Sequence, residues 1–146
     1  MENQDKTLFP PQVTVKMLNQ TRTRTLVEHL GIEFTEVGMD YITARMPVDQ
    51  RTHQPLGLLH GGASVALAET LGSLAANCCL DPEKQYAVGL EINANHVRSV
   101  AGGYVYGKTT PIHIGRTTHV WDIRISNEAG QLVCASRLTV AVKDRK

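Results

Sequence analysis

An α+β domain, with one long buried helix laid against an antiparallel sheet, is the fold class this sequence predicts. Three observations carry it. From Leu56 to Leu80 the only charged side chain is Glu69, and a helix that is hydrophobic on nearly all sides belongs in an interior. After Asp81-Pro82 the chain alternates apolar and polar residues in runs joined by hairpin-length links, the pattern of antiparallel strands. Finally, 146 residues with 42% hydrophobic and 20% charged side chains can build one core but not two.

The elements follow in order. Residues 1–13, with Pro10-Pro11 near their end, are expected to form a flexible N-terminal arm, and residues 14–146 a single domain. Thr14 is placed to cap an amphipathic helix running to Leu30, with Val15, Leu18, Leu26 and Leu30 at near-helical spacing and Gly31 as its stop. The run Thr21-Arg22-Thr23-Arg24-Thr25 is its weak point, because β-branched residues are mediocre helix formers. Ile32 and Phe34 alternate, Gly38-Met39-Asp40 turns the chain, and Ile42, Ala44, Met46 and Val48 alternate again. Gly61 to Cys79 is the buried helix; its length alone resembles a membrane span, but Ser64, Glu69, Thr70, Ser73 and Asn77 are too polar for lipid. Four strands complete the domain. Gln85 to His96 carries Val88, Leu90, Ile92 and Ala94 in alternation, and Tyr104 to Pro111 follows. Val120 to Ser126 presents Trp121, Ile123 and Ile125, and the last strand aligns Leu132, Cys134, Ser136, Leu138, Val140 and Val142.

Charge and cysteine usage narrow the function classes. Fifteen Lys+Arg against fourteen Asp+Glu leave a net charge of +1, so no global field recruits nucleic acid or an anionic membrane. Cys78, Cys79 and Cys134 contain no C-x-x-C pair and are too few for a disulfide scaffold, which places the chain in a reducing, cytoplasmic setting. Met1 to Pro10 has no apolar run of the signal-peptide kind. The histidines lack zinc-ligand spacing, so no metal is expected.

Two features point to chemistry. Glu69 is a lone carboxylate on an uncharged helix, and burying such a group without a partner costs several kcal/mol, so its retention calls for a reason. His60-Gly61-Gly62 opens that helix, where free N–H groups and the helix dipole favour a developing negative charge. Eight residues at 1.5 Å each separate Gly61 from Glu69 by about 12 Å, whereas a base must stand within about 3.5 Å of the reacting centre. If both act on one carbonyl, a second copy of the chain must supply one of them across a two-fold axis. Ser73 shares the helical face of Glu69, and Gln54 offers a neutral donor in the preceding loop.

The block from Gln54-Pro55-Leu56-Gly57-Leu58-Leu59-His60-Gly61-Gly62-Ala63-Ser64 through Ala68-Glu69-Thr70-Leu71-Gly72-Ser73 resembles the hotdog-fold acyl-CoA thioesterases of the PaaI-like group, nearest to the 4-hydroxybenzoyl-CoA thioesterase branch. Gly89-Leu90-Glu91-Ile92-Asn93-Ala94-Asn95-His96-Val97-Arg98-Ser99 and the Val120-Trp121 strand match as well, and the likeness runs from about Leu30 to Val142. The resemblance implies a homotetramer, a dimer of dimers, with active sites at the dimer interface. It implies that Glu69 is nucleophile or general base, that Gly61 supplies the oxyanion N–H with Gln54 and His60 assisting from the facing subunit, and that Ser73 orients water or substrate. It implies CoA on the surface, touched by Gly89, by His96, Val97, Arg98 and Ser99, and by His113, Ile114, Gly115, Arg116, Thr117 and Thr118. The position of Arg116 directly after Gly115, followed by Thr117-Thr118, departs from some relatives. No cofactor is implied beyond the CoA of the substrate, and acyl-carrier-protein thioesters are admissible substrates. Two other readings stand beside this one: a hotdog dehydratase acting on 3-hydroxyacyl thioesters, and a non-catalytic acyl-CoA sensor.

Overall fold

A computed structural model describes residues 6–146. Two short helices, α1 (Val15–Gln20) and α2 (Leu26–His29), precede strands β1 (Glu33–Val37) and β2 (Ile42–Pro47), the 18-residue helix α3 (Gly61–Cys78), and strands β3 (Gln85–His96), β4 (Tyr104–Ile114), β5 (Thr118–Ser126) and β6 (Leu132–Asp144). The strands form one sheet in the order β1-β2-β4-β5-β6-β3, antiparallel throughout. Helix α3 lies across its inner face against β2 to β6. The α+β expectation therefore holds. Among the described residues no helix is long and apolar enough to cross a membrane.

The helix sits close to the sheet because small residues meet at the contact. A Cβ on Gly107 would fall 2.6 Å from Leu71 Cδ1, and one on Gly72 would fall 2.8 Å from Leu138 Cδ2. Leu67 and Leu71 are fully buried there with Trp121, Ile123, Ile125, Leu138 and Val140, and burying each such side chain contributes about 1.5–3 kcal/mol. Of the residues aligned on β5 and β6 from the sequence alone, Trp121, Ile123, Ile125, Cys134, Ser136, Leu138 and Val140 are buried in this core, whereas Leu132 and Val142 are only half-buried and Val133, outside that alignment, is buried.

Three expectations need correction. The helix predicted from Thr14 to Leu30 is two helices. Thr14 does cap α1, its side chain accepting from Met17 N–H, but Thr21 Oγ1 and Thr25 Oγ1 donate to the carbonyls of Leu18 and Arg22. Such local bonds compete with helix propagation, and Arg24 turns to φ 61° between the two pieces.

The arm is not loose where it is described: Phe9 and Val13 are buried and Leu8 N–H donates to Met39 O. Residues 1–5 of that arm lie outside the described residues.

Lastly, the single apolar face expected on β3 is split. The ladder to β6 slips between Gly89 and Glu91, an extra residue that reverses which side later residues face. Val88 and Leu90 are exposed, while Ile92 and Ala94 pack against the core.

Both edges of the sheet are met by an asparagine from a helix. Asn19 of α1 donates to Phe34 O and accepts from Phe34 N–H on β1. Asn77 of α3 donates to Ala87 O and accepts from Ala87 N–H on β3. Each carboxamide stands in for one residue of a missing strand. Beyond Ala87 the edge of β3 runs on to His96 with no strand beside it among the described residues.

Candidate active site

The loop between β2 and α3 is tied down at several points. Thr52 Oγ1 donates to Pro47 O, His60 N–H to Thr52 O and Leu59 N–H to Val100 O. The Arg51 guanidinium, bonded to Asp49, holds that carboxyl below the usual range. Within the loop, Gln54 Oε1 accepts from Leu56 N–H. The carboxamide oxygen is thereby used and its NH₂ is left to donate elsewhere.

A helix leaves its first N–H groups unsatisfied, and α3 disposes of them unequally. Gly62 N–H donates to His60 Nδ1 at 2.7 Å, and Ala63 and Ser64 N–H both reach His60 O. Gly61 N–H has no acceptor among the described residues. It opens on a cavity of about 390 Å³ lined by Gln54, Leu58, Leu59, Gly61, Ser64, His96, Val97, Arg98, Ser99 and Val133. His96, at the end of β3 opposite Cys134, lays its ring against Gly61, where a Cβ would be 2.9 Å from Nε2. The backbone of Val97 is pinned to Val133 O, which fixes the start of the Val97–Ser99 segment.

Further along α3, Glu69 is exposed and rests its carboxylate on the backbone of Gly89. A Cβ on Gly89 would stand 2.6 Å from Glu69 Oε1, so only glycine there leaves the carboxylate its place. Ser73, one turn on, lines a shallow cleft with Thr21, Val27, Phe34, Thr70, Leu74 and Asn77.

The structure thus sorts the residues singled out from the sequence into two groups. Gln54, Gly61, His96, Val97, Arg98 and Ser99 meet at one cavity. Glu69 and Ser73 lie farther along α3, with Gly89 of β3 beside the Glu69 carboxylate. The His113-to-Thr118 segment is the turn between β4 and β5, closed by Gly115 N–H to Thr118 O, and Thr117 O accepts from Val142 N–H. His96 is opposite Cys134 on β6, and Val142 is eight residues away on that strand. The turn and the His96 segment are therefore about 26 Å apart. His60 joins neither group: its ring caps α3 and lines a separate cavity with Arg51, Thr52 and His53. Leu58, Leu59, Ser64 and Val133 escaped the sequence reading. Ser64 was within reach of it, being one helical turn after Gly61; Val133 was not, since only the strand ladder brings it there.

Comparison with known proteins agrees with this architecture. A family model described as the thioesterase superfamily matches residues 56–134. The chain is 54% identical over 135 residues to the proofreading thioesterase EntH of Cronobacter turicensis, covering 92% of this chain and 98% of that one. It is 51% identical over 135 residues to the 1,4-dihydroxy-2-naphthoyl-CoA hydrolase of Escherichia coli K12, with the same two coverages. A crystal structure of a thioesterase from Haemophilus influenzae superimposes with a TM-score of 0.91 at 51% identity, covering 94% of this chain and 96% of that one. The sheet order and single long helix are those of the hotdog fold, and the chain belongs to the thioesterase superfamily.

Proposed function

We propose that this thioester hydrolase cleaves an aromatic or medium-chain acyl-CoA to the free acid and CoA, at two equivalent sites in a two-fold dimer. The observation that carries the reading is the Gly61 N–H at the mouth of α3, without an acceptor among the described residues, beside a cavity that is also lined by Gln54, whose NH₂ is uncommitted. Two donors lining one cavity suit a carbonyl oxygen that becomes an alkoxide. Glu69 cannot reach that spot from its own chain, about 12 Å along the helix. A partner with its α3 antiparallel would bring its Glu69 beside this Gly61 and its β4–β5 turn toward this Val97–Ser99 segment. One rotation would thus complete both the catalytic pair and a two-part CoA surface. The open β3 edge, with exposed Tyr86, Val88 and Leu90, suits that pairing, and two such dimers would make a tetramer.

In this reading Glu69 attacks the thioester carbon or draws a proton from the attacking water, and Ser73 holds water or substrate beside it. Gly89 seats the Glu69 carboxylate, and the Arg98 and Arg116 segments receive the CoA phosphates. A thioester carbonyl is weakly resonance-stabilised, so one carboxylate and an oxyanion donor suffice. The substrate named for one relative, a dihydroxynaphthoyl-CoA, favours an aromatic acyl group. Carrier-protein thioesters are a second source of the same bond.

Thiol release from a panel of aromatic and aliphatic acyl-CoAs tests the reading. Wild type should turn over at least one member, and Glu69→Gln should lose about 10³-fold or more in kcat. Retained activity in that variant would remove Glu69 from the mechanism; crotonyl-CoA hydration instead of thiol release would favour the dehydratase.

A further inference from the structure

The proposed chemistry leaves one proton unassigned. Glu69 serves the attacking oxygen, and Gly61 with Gln54 serves the carbonyl oxygen, but the departing sulfur also needs a partner. Histidine is the usual proton donor at neutral pH. His60, the histidine beside the oxyanion donor in sequence, has its Nδ1 committed as acceptor to Gly62 N–H and lines another cavity. His96 differs in each respect. Its ring lies against Gly61, with Nε2 the nearest atom to the position a Cβ would take there. It shares the Gly61 cavity and makes no side-chain hydrogen bond among the described residues. It also stands between Gly61, where the carbonyl oxygen would sit, and the Val97–Ser99 segment, where CoA would enter. In an acyl-CoA the sulfur lies between those same two parts.

We infer that His96 is the general acid that protonates the CoA sulfur, an inference that rests on the hydrolase reading above. Collapse of the tetrahedral intermediate re-forms the C=O bond and breaks the C–S bond. The electron pair leaves on sulfur, and the imidazolium gives its Nε2 proton to it, producing CoA thiol and neutral imidazole. The proton lost by water, whether Glu69 takes it during attack or it is released when water hydrolyses an anhydride formed with Glu69, returns to the imidazole through solvent, so the cycle closes without another reactant.

The role can be separated from CoA binding by leaving-group chemistry. One acyl group is presented as its CoA ester, its N-acetylcysteamine ester and its 4-nitrothiophenyl ester; the last two lack the nucleotide, and only the first two leave as basic alkyl thiolates. His96→Gln should lower kcat/KM about 10²-fold on both alkyl thioesters and less than about fivefold on the aryl one, whose thiolate leaves unaided. His96→Asn should behave alike, which guards against a folding defect in one variant. Loss on the CoA ester alone would make His96 a nucleotide contact, and an equal loss on all three would make it structural; either overturns the inference while the hydrolase reading stands. If wild type cleaves none of the esters, the hydrolase reading itself falls.

Discussion

Gly89 and Gly61 are glycines for reasons that concern side chains from elsewhere in the chain. Neither has a positive φ; what each avoids is a collision, Gly89 with the Glu69 carboxylate and Gly61 with the His96 ring. The two collisions differ in kind. Glu69 presents the end of a flexible, exposed side chain, so a methyl group at position 89 displaces the carboxylate rather than the strand. Gly89→Ala should therefore leave the melting temperature within about 2 °C of wild type, as expected for a change within about 0.5 kcal/mol. It should nevertheless cost roughly 10²-fold in kcat, the effect of moving a reacting group by about 1 Å. Paired steady-state kinetics and thermal melts check this; an active Gly89→Ala enzyme would mean the carboxylate works from another position. The two vicinal cysteines, by contrast, are removed from chemistry by burial, which pushes the Cys78 thiol up to about 11 and Cys79 up to about 12.

At the scale of elements, the last turn of α3 is fastened to the start of β3 by a single side chain. Asn77 donates to Ser73 O and Ala87 O and accepts from Ala87 N–H. Asn77→Ala removes these three bonds and leaves the Ala87 amide and carbonyl on an open edge. It should cost about 2 kcal/mol, from net values near 1 kcal/mol per bond offset by rehydration of the exposed edge. Urea titration at constant m-value would measure it, and a loss under about 0.5 kcal/mol would show the edge to be held by packing instead. The strand concerned also marks how far the sequence could be read. Its ends, Gln85 and His96, follow from alternation, and α3 from the uncharged run; both match the structure. Which way its residues face did not follow. Leu90 continues the apolar alternation, so the extra residue that shifts the ladder is invisible until β6 lies beside it. The break between α1 and α2 was half-legible: the threonine run signalled a weak helix, but the left-handed Arg24 in the link between the two pieces had no sequence mark.

For the whole molecule, the candidate site was legible as a list of residues but not as an arrangement. Spacing on one helix separates Gly61 from Glu69, whereas the strand ladders reveal that the His96 segment and the His113–Thr118 turn are also at opposite ends of the sheet. Two independent separations, along the helix and along the sheet, run in the same direction. One antiparallel partner would remove both at once, and this makes a prediction that no single-chain site shares. Gln54→Ala disables the half-site at the α3 N-terminus, and Glu69→Gln disables the other half. If each active site takes one half from each chain, a heterodimer of the two variants contains one doubly defective site and one intact site. Unfolding and refolding an equal mixture at random gives half heterodimers, each with one of two sites whole, so activity should return to about a quarter of wild type. Each variant refolded alone should stay near its own low rate. If instead both halves served the same chain's site, every site in the mixture would carry one defect, and mixing would restore nothing.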